Sequence, residues 1–131
     1  MKGLLLAVSV LLVAGCGDST ATAAPLDVKA AQGCEASFHM LQDLAASKTA
    51  QVNADEAKLQ PIAAALLAGT AEAQAAGKPA PKWAALGANL TQAMADANTG
   101  DITAFGKDQD AITPDCNKIP DAAKVAGGFT K

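Results

Sequence analysis

The chain has no arginine and no tyrosine, a single histidine (His39), and only four aromatic side chains: Phe38, Trp83, Phe105 and Phe129. Without arginine there is no planar fork for a bidentate grip on phosphate or carboxylate. The ten cations are all lysines scattered along the chain, which excludes the clustered basic footprint that nucleic acid requires. One histidine leaves little material for general-base chemistry. There is no Gly-x-Ser-x-Gly elbow, phosphate loop or dinucleotide fingerprint, and neither a Cys-x-x-Cys pair nor a Cys-x-x-Cys-His haem attachment. The thirteen acids single out no specific catalytic pair. These absences predict a non-catalytic protein without a cofactor. The longest apolar run, residues 3–14, has 12 residues, short of the roughly 20 needed to cross a bilayer.

What the chain has in abundance is alanine, 33 of 131 residues. Alanine is the strongest helix former, and beyond residue 16 valine and isoleucine are too sparse to build strands. The fold class that follows is all-α: a small up-and-down bundle of about four helices. Because alanine buries little area, such a core is thin and profits from a covalent staple. A first helix is predicted over 27–47, with Asp27 as N-cap and Ala30, Cys34, Phe38, Leu41 and Ala45 as its inward stripe. A second helical region, 50–76, is expected to kink or break near Gln60 because Pro61 lacks an N–H. The third starts near Lys82, buries Trp83, Leu86, Leu90, Met94 and Ala97, and ends at Gly100. The fourth, 101–112, points Ile102, Phe105 and Ile112 inward and is closed by Pro114. A helical turn is predicted over 121–126, with the last residues frayed.

The N-terminus carries an address. Lys2, the apolar run and Val13-Ala14-Gly15-Cys16 have the pattern of a cleaved export signal. The last four residues resemble the lipobox of bacterial lipoproteins. That resemblance covers residues 1–16 alone and implies cleavage before Cys16 with a diacylglycerol on its thiol. An ordinary secretory cut after Ala21-Thr22-Ala23 is the alternative, although it lies late relative to the apolar run. The organisation expected is a signal peptide over 1–15, a lipidated cysteine and small, polar tether over 16–25, and one helical domain over 26–131. Without the signal, nine lysines face thirteen acids, a mildly acidic domain. Its location would be the extracytoplasmic side of a bacterial cell membrane.

With Cys16 assigned to lipid, Cys34 and Cys116 are the remaining pair in a compartment that permits oxidation, and a disulfide between them follows by elimination. A redox pair would use closer spacing.

Three clusters invite a ligand. Glu35, His39 and Asp43 recur every fourth residue on one helical face, but zinc normally takes three or four ligands with several from His or Cys; the expectation is a solvated face and no metal. The stretch Asp96 to Asp101 has alternating oxygens but fails the calcium-loop order, and a helix stop followed by an Asp101 N-cap accounts for it. Asp108 and Asp110 fall on different helical faces and read as surface, as does the sequon Asn89-Leu90-Thr91. The functional expectation is a membrane-anchored, non-catalytic envelope module for binding or interaction, its partner unspecified. The alternative is a carrier of a small apolar ligand, with Phe38, Trp83, Leu90, Met94 and Phe105 lining its pocket.

Overall fold

A computed structural model describes residues 25–129. The expected signal peptide, Cys16 and the expected tether through residue 24 lie outside the described residues, as do residues 130 and 131. The described chain is all-α. Its helices are α1 (Pro25–Ala45), α2 (Thr49–Leu67), α3 (Thr70–Ala75), α4 (Ala84–Asn98), α5 (Ile102–Cys116) and α6 (Ala122–Ala126). The four long ones, α1, α2, α4 and α5, pack as a closed ring in chain order, and α6 lies on α1. None of these helices is long and apolar enough to cross a membrane.

The core is built from Met40, Leu59, Leu66, Leu86, Leu90, Phe105 and Ile112, filled in by buried alanines. Small residues let the helices come close. A Cβ on Gly33 would stand 2.8 Å from Leu90 Cδ1 and 3.3 Å from Ile62 Cγ2, so the inner face of α1 has room only for small groups where α2 and α4 meet it. This corrects the expected stripe on α1. Ala30 and Cys34 are buried as expected, but Ser37, Met40 and Asp43 continue that face. Phe38 is 55% exposed, Ala45 is exposed and Leu41 only partly buried. The hydroxyl of Ser37 donates to the Cys34 carbonyl at 3.0 Å, which satisfies it inside the core.

Cys34 and Cys116 form the predicted disulfide, with Cα atoms 5.8 Å apart across 82 residues. Cross-linking a loop of that length is worth about 4 kcal/mol in the chain-entropy account. Cys116 belongs to α5 itself, because the helix runs through Pro114 instead of stopping there. α2 likewise continues through Pro61 and ends at Leu67, where Gly69, at φ 87°, turns the chain into α3. In α2 the buried side chains Val52, Leu59, Ile62 and Leu66 bridge the proline while Pro61 itself is exposed. The carbonyl it leaves without a partner can therefore be hydrated while packing on the other face carries the helix. The short α3 buries nothing, so the core-facing part of the region 50–76 ends with α2.

α4 matches its expected buried side: Trp83, Leu86, Leu90, Met94 and Ala97 are all inside. It ends with Gly100 at φ 73°, whose N–H bonds the Ala97 carbonyl while Asp101 N–H bonds that of Asp96, a Schellman closure. Asp101 then caps α5 by accepting from Ala104 N–H at 2.9 Å. Ile102, expected inward, is exposed together with Asp101 and Thr103, and the buried face of α5 begins at Phe105. Asp27 is not an N-cap but sits in the first turn of α1. Its carboxylate accepts from the indole N–H of buried Trp83 at 2.8 Å, with Lys82 Nζ at 3.4 Å. The Trp83 bond, aided by Lys82 against a desolvation cost, holds the Asp27 carboxyl below its ordinary range. Phe129 does not fray: its N–H donates to Glu35 Oε1 at 3.1 Å, and Lys58 Nζ lies 5.6 Å from its ring centre.

The effect of substitution on stability is set by what surrounds each position. Asp27→Ala strands a buried indole donor and lowers the unfolding free energy by about 1–2 kcal/mol, read in denaturant by the fluorescence of the one tryptophan, while Asp27→Asn keeps an acceptor and loses less. Gly87→Ala destabilises by about 1–3 kcal/mol despite its better helix propensity, because the new Cβ would lie 2.9 Å from Leu67 Cγ and 3.2 Å from the Ala63 carbonyl oxygen. Gly106→Ala, which meets nothing within 4 Å, stabilises by about 0.5–1 kcal/mol in the same assay.

Candidate functional site

The residues expected to line an apolar pocket are not gathered into one. Trp83, Leu90 and Phe105 are filled core, Phe38 faces solvent, and Met94 borders an open groove of about 400 Å³ between α2 and α4, lined also by Glu56, Gln60, Leu67 and Thr91. A second concavity, about 260 Å³, lies where the α1–α2 turn meets the α4–α5 turn and contains none of the five. Cys16 lies outside the described residues.

The structure gathers chemistry elsewhere, around His39. Of its two expected neighbours on α1, Glu35 is drawn away to bind the Phe129 N–H. Asp43 remains, but it is buried rather than solvated. The third member comes from α2. Asp55 presents both carboxylate oxygens to His39 Nδ1, at 3.0 and 3.1 Å, and Asp43 Oδ2 lies 3.1 Å from the same nitrogen. The side chains of Asp43 and Asp55 are only 9% and 4% exposed, whereas His39 is 38% exposed. Three oxygens thus face one ring nitrogen that holds at most one hydrogen. The hydrogen-bond geometry favours Asp55 and leaves Asp43 Oδ2 buried without a donor. Burial pushes the Asp55 carboxyl above its usual range, the facing Asp43 carboxyl adds to that, and His39 opposes it.

Local structure positions each member. α1 closes after Ala45 with Ser47 in the left-handed region at φ 59°, and the Lys48 N–H reaches back 2.9 Å to the Asp43 carbonyl. This tight turn folds α2 against α1 and brings Asp55 level with His39. Asp55 was missed in reading the sequence, although a signal was there. It lies in register with Val52, Leu59 and Ile62 on the buried stripe of α2, and an acid on an apolar face needs a partner inside.

A second carboxylate pair joins α4 to α5. Asp96 faces Asp108, and burial first, then the neighbouring Asp96 carboxyl, raise the Asp108 carboxyl to about 6. Asp108 is half-buried rather than the solvated residue expected. Comparison with protein-family models, curated proteins and solved structures finds no match to this chain.

The acid pair yields a pH prediction. The folded-state value for Asp108 lies above its ordinary value of 3.8, so the protonated form favours folding. That contribution is complete below pH 3.8 and is lost as pH rises through about 6. Asp108→Asn, which can donate to Asp96 but cannot ionise, stabilises the protein at pH 7 by about 1 kcal/mol after solvent screening. The gain over the parent vanishes near pH 4, as denaturant titrations at the two pH values will register.

Proposed function

We propose that the protein is a bacterial envelope lipoprotein, anchored through diacylglycerol on Cys16 and presenting a disulfide-stapled helical bundle as a non-catalytic binding module. The observation that carries this reading is the Cys34–Cys116 bond. With both other cysteines consumed inside the bundle, Cys16 is left as the odd thiol, directly after the apolar run and inside the Val-Ala-Gly-Cys sequence. An odd cysteine in an exported chain calls for its own chemistry, and lipidation supplies it. The anchor would hold the bundle close to the bilayer on a short tether of small and polar residues.

The filled core favours a surface binder over an apolar carrier. The side chains a carrier would place around its ligand are spent on packing, while Phe38 and Ile102 stand exposed. The module then works through its surface and its polar cluster.

The anchor is tested by intact mass of the non-reduced protein from the membrane fraction of a bacterial host, beside Cys16→Ser. The expected chain begins at Cys16, carries acyl mass, and is about 2 Da lighter than its reduced form. The variant loses the acyl mass and leaves the membrane fraction. An unmodified soluble chain starting after Ala23 would overturn the reading.

A further inference from the structure

From the geometry of His39, Asp43 and Asp55 we infer a binding site for one divalent transition-metal cation, with zinc as its representative. The assignment concerns the bundle alone and does not rest on the anchor.

Charge is the first argument. Two carboxylates more than nine-tenths buried lie against one imidazole, and among the described residues no lysine comes within ion-pair distance of either. Asp43 also sits in the last turn of α1, where the helix dipole adds negative potential. A protonated His39 offsets only one of two carboxylates, and burying an unpaired charge is costly. A divalent cation beside two carboxylates and a neutral imidazole makes the cluster neutral.

Geometry is the second. Ligand atoms from all three side chains lie within 4.8 Å of one another, with Nδ1 to oxygen distances of 3.0 to 3.1 Å. Bonds of about 2.0–2.1 Å to a common ion separate its neighbouring ligands by about 3 Å or a little more, so the three side chains need little movement to close on it. Asp43 Oδ2, buried and without a hydrogen-bond donor, is the atom a cation would satisfy. The ligand set decides the class of ion. One imidazole with two carboxylates suits zinc, cobalt or manganese better than the all-oxygen shells of calcium and magnesium. His39 is 38% exposed beside the two buried carboxylates, so water can reach the cluster on that side and complete the coordination. Binding displaces the Nδ1 proton, to solvent from an imidazolium or to Nε2 in the neutral ring, leaves Nε2–H as the ring's donor, and joins α1 to α2 through the ion.

The test uses the full-length chain produced in a bacterial host, stripped with a chelator and titrated with zinc alone. Calorimetry is expected to give one ion per chain, and because His39 is the one histidine, its ring nitrogen signals in ¹⁵N NMR report coordination without interference. The Nδ1 signal shifts to the metal-bound position as zinc is added. His39→Ala and Asp55→Asn, which remove ligands, weaken binding by about 100-fold or more, at least as much as losing an outer-shell partner, whereas Glu35→Gln, whose carbonyl still accepts from Phe129, leaves it unchanged. No uptake up to about 1 mM zinc would overturn the site. So would uptake that leaves the His39 nitrogens unmoved, a result that needs no folded variant to interpret.

Discussion

Close approach between helices is the constraint on which this structure depends. A core of alanines and a handful of leucines gains dispersion energy only where backbones come near each other, since short side chains cannot reach across a wide gap. Gly33 on α1 and Gly87 on α4 mark the points where neighbouring atoms occupy the space a Cβ would need. α1 lies at the centre of this arrangement, touching α2, α4, α5 and α6. The disulfide reinforces the same helix by fixing Cys34 to the end of α5. The close packing also settles which side chains are turned out, and Phe38 is the largest of them.

The polar cluster follows from that packing. When α2 folds back across a three-residue turn, its buried stripe brings Asp55 against α1, and Asp43 and His39 are the groups it meets. An apolar residue at 55 would fill the same place at less cost in desolvation. A carboxylate there gives the α1–α2 contact a chemistry that packing alone does not require. The Asp96–Asp108 pair works on the other side of the bundle as a smaller version of the same arrangement, without an imidazole.

Much of the fold was legible in the sequence because its signals were local or periodic. Alanine content pointed to helices, the Trp83–Leu90–Met94 spacing gave α4 its buried side, and Gly100 with Asp101 marked a stop and a start. Cysteine pairing was legible by counting. What escaped depended on tertiary context. Pro61 and Pro114 fall inside helices because packing opposite the one and the covalent bond beside the other outweigh a missing hydrogen bond. Phe38 yields the inner face to Ser37 and Met40 because Leu90 and Ile62 press on α1 there. Of the central cluster, the sequence showed His39 and Asp43 but not Asp55, since adjacency across a turn has no helical period.

The position of the disulfide also has a mechanical meaning. Tension applied across the bundle, from residue 25 to residue 129, passes through the sulfur–sulfur bond and bypasses the loop between Cys34 and Cys116, which contains α2, α3, α4 and nearly all of α5. Only the first part of α1 and the short segment carrying α6 bear the load. A domain pulled between a fixed surface and a bound partner would lengthen by those flanks alone, and the interior, with its cluster of His39, Asp43 and Asp55, would keep its shape under force.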